Sequence, residues 1–250
     1  MADNQITPFQ LTDQFTMDNF NQRINETNIA LQNKASLTTQ QTVEKTTAPA
    51  KTVTVNAANL QSYLDSLPRL VTEKLTIKVS GTIDTAITIA NFYGSGSIII
   101  EGVNGFTLNN KIIILDCSVG VELYNIFAYA PASFDGNSNL LDIKRCSKVW
   151  VQDCTLTGNG LCEGVDIGLC SYVMLSKVAI NSCSIAVFSA ASSIVSIFRS
   201  TASDFSANNT GAYTYRGGII VFGDTGVPDL LGGASNVKSG GAIIKNGAFL

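Results

Sequence analysis

The sequence predicts an all-β chain wound as a parallel β-helix, a solenoid of short stacked strands. Three observations carry that prediction. Cys-Ser recurs at 117, 146 and 170, in steps of 29 and 24 residues, and each copy leads into alternating apolar residues: "CSVGVEL", "CSKVWVQ" and "CSYVMLS". A drifting period of this size, built from strands and turns, marks a solenoid. Next, Cys146, Cys154, Cys162 and Cys170 stand eight residues apart, as the corners of a three-sided coil would. Last, only 14% of residues are charged against 45% hydrophobic, with 21 glycines, a balance that favours β structure over a helical bundle.

The elements follow in chain order. Residues 1–34 contain "TPFQLTDQFTMDNFNQRINETNIALQ", in which Met17, Phe20, Ile24 and Leu31 form an apolar stripe at heptad-like spacing. Thr27 takes the remaining seam position, and Thr16 is a fitting N-cap. A short helix cannot bury such a stripe alone, so this segment is expected to attach the chain to its own domain, to copies of itself or to another protein. Residues 35–52, rich in Thr, Ala, Gln and Lys, read as a linker. From about 53, "NAANLQSYLDSLPRLVTEK" places Leu60, Leu64 and Leu67 on one helical face, with Pro68 as the stop. That helix is expected to cover the first coil, because a bare end of a solenoid invites edge pairing.

Strand-like runs then continue to about 204: "KLTIKVSGTI", "AITIANF", "GSIIIEGV", "KIIILDC" and "VELYNIFAY". Ile114, Ile143, Ile167 and Phe188 align, with Cys117, Cys146, Cys170 and Ala191 three residues on; Ile89 and Phe92 fit an earlier copy. The Cys is expected to point inward at a corner, and the Ser after it to begin the turn. Residues 205–250 carry "YRGGIIVFGDTG" and "SGGAIIKNGAFL", which read either as last rungs or as a C-terminal cap.

Composition also narrows the function classes. The net charge is −3 and Lys and Arg form no run, so nucleic acid is not an expected partner. No apolar run is long enough to span a membrane, and "MADNQITPFQ" lacks the form of a signal peptide. The six Cys form no C-x-x-C pair and there is no His, which argues against zinc. Folding in a reducing cytoplasm would leave the thiols free, as small apolar residues.

"NLQSYLDSLPRLVTEKLTIKVSGTI" resembles the capping helix and first rung of pectin-lyase-like right-handed β-helices. "TPFQLTDQFTMDNFNQRINETNIAL" is similar to the attachment segments of bacteriophage tail fibre and tailspike proteins. The resemblance implies a structural or host-recognition part of a phage tail or phage-derived particle, made in a bacterial cytoplasm. Its expected partners are its own copies in a homotrimer, other tail or baseplate proteins met through the N-terminus, and a host surface glycan.

Many proteins of that kind cleave polysaccharide, so the acidic residues need weighing. Hydrolases of the fold use clustered Asp, and lyases use calcium-binding carboxylates with a basic residue. Here no adjacent Asp-Asp pair exists, and no catalytic set is assigned. The fallback is Asp142 and Asp166, outward on successive coils, with Arg145 as base and calcium as a conceivable ligand; a plain solvated surface is the simpler expectation. Asp153 and Lys177 occupy comparable places one coil apart. Trp150, with Met174 one rung on, should face outward and meet either a neighbouring subunit or a sugar. A non-enzymatic role is therefore expected first, and a glycan-degrading tailspike second.

Overall fold

The computed structural model describes Thr47–Ala48 and residues 51–250, apart from 171, 202, 203, 224 and 225. The chain divides into two units, Met1–Thr47 and Ala48–Leu250. The attachment stripe of Met17, Phe20, Ile24 and Leu31, its N-cap Thr16 and most of the expected linker lie outside the described residues.

The second unit is a parallel β-solenoid of about eight coils. Each coil passes through three sheets. Sheet I runs from Lys51–Asn56 through Lys74–Ser80, Ser97–Gly102, Gly120–Tyr124, Lys148–Gln152, Tyr172–Ser176, Ile194–Phe198 and Ile219–Phe222 to Ala242–Lys245. Sheet II is made of short strands, from Thr82–Ile83 to Phe205–Ser206; sheet III extends from Ile87–Ala90 to Ser235–Ser239. The ladder begins at Lys51, two residues inside the stretch expected as linker. Val53 and Val55 alternate there with polar residues, the period of a strand.

Inward side chains stack in columns. Leu75, Ile98, Val121, Val149, Val173, Val195, Ile220 and Ile243 are successive neighbours in register, and all are fully buried. Burying each such side chain contributes roughly 1.5–3 kcal/mol. The long step from Cys117 to Cys146 is a surface loop over 131–138. Asn159 holds it, donating from Nδ2 to the carbonyls of Pro131 at 3.2 Å and Phe134 at 2.9 Å.

At most corners the bend is made by one residue of left-handed backbone placed before an inward residue. Asp116, Arg145 and Leu169 (φ 54°, 53° and 58°) precede Cys117, Cys146 and Cys170. Asn125, Asp153, Lys177 and Arg199 do the same before Ile126, Cys154, Val178 and Ser200, and Ser182 and Ala207 before Cys183 and Asn208. This conformation costs a non-glycine residue about 1–2 kcal/mol. The ladder continues through the bend and offsets part of that: Asp116 N–H donates to the Lys144 carbonyl, Arg145 N–H to Gly168.

The turn therefore sits before the Cys. Ser118 and Ser147 follow it and are exposed, which corrects the expectation that Ser begins the turn. Cys146, Cys154, Cys162 and Cys170 occupy successive corners, and all six thiols are buried and free. Cys117, Cys146 and Cys170 point each Sγ at a carbonyl one coil back, those of Ile89, Ile114 and Ile143, at 3.6, 3.5 and 3.4 Å. Phe92 is the earlier member of this stack. The fourth copy needs correction. Ser189, not Phe188, pairs with Ile167, and Phe188 faces outward beside Asp166. The inward corner residue is Ser193 rather than Ala191; its Oγ accepts from Cys170 N–H at 2.9 Å.

The N-terminal end is covered. Asn56 caps a short 3-10 turn by accepting from Ala58 N–H at 3.0 Å, and the helix Leu60–Ser66 follows. Leu60 and Leu64 are fully buried; Leu67 is the extended C-cap that a following Pro68 favours. Gln61 imitates a strand on this helix. Its Oε1 accepts from Thr88 N–H at 2.7 Å and its Nε2 donates to the Thr88 carbonyl at 3.2 Å, closing the edge of sheet III. Residues 205–250 supply further rungs, and Ala248–Phe249 turns back antiparallel onto Ala242–Lys245.

Candidate functional site

Two outer faces carry the chemistry. On sheet III, Asp142 and Asp166 are direct neighbours in register, since each precedes an inward Ile. Lys144 spans both: its Nζ lies 2.5 Å from Asp166 Oδ1 and 3.6 Å from Asp142 Oδ1. It can lie across the next rung because its neighbour there is Gly168, where a Cβ would come within 3.2 Å of Lys144 Cδ. Asn139 Nδ2 donates to Asp166 Oδ2 at 3.4 Å.

Glu163 completes the cluster and was missed in the sequence. It stands beside Asn139 in register. Burial, then the negative charge of Asp166, pushes its carboxyl up to about 7 against the pull of Lys144. Asp142 is also raised, by burial first, with Lys144 working the other way. A carboxyl raised toward neutrality beside a lysine-bound carboxylate is a candidate proton donor.

Arg145 does not belong to this group. Its left-handed backbone turns it round the corner to Asp116, one coil back, which it grips with Nε at 2.5 Å and Nη2 at 2.9 Å. The guanidinium holds the Asp116 carboxyl below the usual range. The fallback set of Asp142, Asp166 and Arg145 is thus split, and Lys144 stands where Arg145 was expected. Among the described residues no three His, Cys, Asp or Glu side chains gather as metal ligands. Asp153 pairs with Lys177 at 3.7 Å, away from these residues along the coil.

On sheet I, Trp150 lies between Glu122 and Met174 in one outward column. Trp150 and Met174 are half-buried, and Trp150 Nε1 is shielded without a hydrogen-bond partner. This face changes character along the axis. Tyr172, Met174, Ile194, Phe198 and Val221 make its later part apolar. Its earlier part is polar and opens into a groove of about 380 Å³, with Glu73, Lys74, Glu122, Lys148 and Trp150 in its walls. Tyr124 Oη donates to Glu122 Oε2 at 2.8 Å and steadies that carboxylate; burial and Glu122 push the Tyr124 phenol up to about 12. The alternation that sets Trp150 outward in "KVWVQ" also sets Glu122 outward in "GVELY", and stacking of the coils makes the two neighbours.

Comparison with protein-family models, with curated proteins and with solved structures finds no match.

Proposed function

We propose that the chain is a structural and host-recognition component of a phage tail or phage-derived injection particle, of the tail fibre or tailspike kind. In this reading the N-terminal segment attaches it to a tail or baseplate protein, and a pectin-lyase-like β-helix projects as a homotrimer. The observation that carries the reading is the unbroken sheet I ladder, which makes a stiff rod whose outer face carries half-buried Trp150 and Met174 and a polar groove. The opening segment's similarity to phage attachment sequences adds to it.

Electron microscopy of host-derived particles bearing a label on this chain tests the assignment. Label confined to the tail is the expected outcome; a chain free of particles overturns it. Sedimentation of the purified chain checks the trimer.

A second reading is favoured by one feature, the raised Glu163 beside Asp166. It makes the protein a spike that cleaves surface polysaccharide, with Glu163 as proton donor. Reducing ends released from host capsule by the native chain, and lost in Glu163→Gln, would establish it; no release excludes it for that substrate.

A further inference from the structure

We propose that the sheet I groove binds a short, hydroxyl-rich, uncharged stretch of glycan, with Trp150 as its stacking surface. The recognition reading above supplies only the glycan's source, a host surface; the binding itself rests on the groove.

The register shows how the groove arises. Lys74, Ser97, Gly120 and Lys148 are successive neighbours in one outward column. The two long side chains stand three rungs apart, about 14 Å along the axis. Between them Ser97 and Gly120 leave the floor open. The next column holds Ile99, Glu122 and Trp150. Ile99 faces outward yet is 5% exposed, covered by its surroundings. One wall therefore offers an indole and the rest offers donors and acceptors.

That combination fits a sugar ring, which has an apolar face and a rim of hydroxyls. Carboxylates accept from hydroxyls, ammonium groups donate to ring and hydroxyl oxygens, and charge-assisted bonds of this sort are the stronger ones. Trp150 lines the groove while its Nε1 is buried, so the indole offers the groove carbon surface and no donor. The charges select the class. Glu73 and Glu122 balance Lys74 and Lys148, so a polyanion gains no net attraction and meets two carboxylates.

Trp150 is the chain's one tryptophan, so tryptophan emission, excited at a wavelength the seven tyrosines do not absorb, reports on this groove alone. The full chain is titrated with neutral oligosaccharides of glucose, galactose, mannose, rhamnose and N-acetylglucosamine, and in parallel with oligogalacturonate. A saturable shift with at least one neutral probe, unchanged between 0.05 and ~0.5 M salt, is expected. Gly120→Gln should weaken it at least ten-fold. A Cβ at Gly120 meets Ser97 Cβ at 3.4 Å, an ordinary contact, so this variant fills the floor and keeps both fold and reporter. Circular dichroism matching the native chain checks that.

Three results overturn the proposal: no shift with any neutral probe, a salt-sensitive shift with oligogalacturonate only, or a shift that follows protein concentration alone. The last would mean that a second copy covers Trp150. A particle location that fails in microscopy while the titration succeeds would leave the groove a glycan site and remove only its phage context.

Discussion

The corners of the earlier coils and those of the coil through Ser193, Ser200 and Asn208 hold the same bend with opposite chemistry. In the earlier coils the inward corner residues are Phe92, Cys117, Cys146 and Cys170 in one stack, and Phe106, Ile126, Cys154 and Val178 are buried at another. One coil later all three corners are polar: Ser193, Ser200 and Asn208, each 5% exposed or less. Each accepts from a backbone N–H of the coil before it, those of Cys170 at 2.9 Å, Val178 at 3.1 Å and Cys183 at 2.9 Å. Asn208 also donates to the carbonyls of Ile180 and Leu231, both at 2.8 Å. The difference teaches that a corner can be closed by filling it or by tying it. A filled corner loses contacts when cut down, while a tied corner leaves buried polar groups unpaired.

The largest expected effect comes from untying the best-connected corner. Asn208→Leu keeps the volume but strands one N–H and two carbonyls, at roughly 1–3 kcal/mol each. A loss of about 3–5 kcal/mol in urea unfolding is expected. A loss no greater than that of Cys146→Ala would break the comparison.

Ser193→Ala removes one acceptor, and Ser200→Ala removes an acceptor together with the donor to the Val178 carbonyl; each should cost about 1–2 kcal/mol. The two should add, because Cys170 and Val178 belong to different corners and share no partner. Thermal unfolding of the double variant reads this.

The outer face supplies a test that leaves every corner untouched. The folded-state pKa of Glu163 is raised from 4.5 to about 7. The folded chain therefore binds this proton more tightly than the unfolded chain. Its contribution is fully present at low pH and is lost as pH rises from about 4.5 to about 7. Relative to Glu163→Gln, the native chain should lose about 1 kcal/mol between pH 5 and pH 8, a figure reduced for solvent screening. Urea midpoints at the two pH values measure it. Equal pH slopes for both chains would remove the buried acid from the sheet III cluster.

Smallest of all is Cys146→Ala, expected to cost about 1 kcal/mol or less, since one sulfur's worth of apolar contact is lost. The neighbouring corner stack, which holds Cys154, has a chemical readout. Burial pushes the Cys154 thiol up to about 12, so it stays protonated and unreactive near neutrality. Native protein should resist alkylation, and six thiols should label after denaturation without reductant.

Much of the fold was readable residue by residue. The Cys-Ser copies, the eight-residue Cys steps and the Leu60, Leu64 and Leu67 face all mark places the structure fills with buried side chains. The left-handed bends were readable only where Asn or Asp makes them, as at Asn125 and Asp153. Arg145, Leu169 and Lys177 carry no such local preference. The expected alignment differs from the structure by one residue at Phe188, because a run of small residues, Ser189 to Ser192, precedes the true corner at Ser193 and hides its position. In a strand a one-residue slip exchanges the faces, which is why the pattern puts Phe188 inward while the structure puts it outward.

The candidate sites show the division most clearly. Local alternation of apolar and polar residues determined which side chains face out, among them Asp142, Asp166, Trp150 and Met174, because it needs only the five or six residues of one strand. Coil length was likewise determined by the recurring Cys. The Cys-Ser repeat already placed Asp142 beside Asp166 and Trp150 beside Met174; the remaining outward neighbours were decided by the tertiary structure. Glu163 meets Asp166, Lys144 replaces Arg145, and Glu122 lies next to Trp150 only once the coils are stacked. The physical reason is that column neighbours are separated by a whole coil, whose length changes with each loop, as at 131–138. A five-residue pattern holds no record of that length, and the vertical register holds all of it.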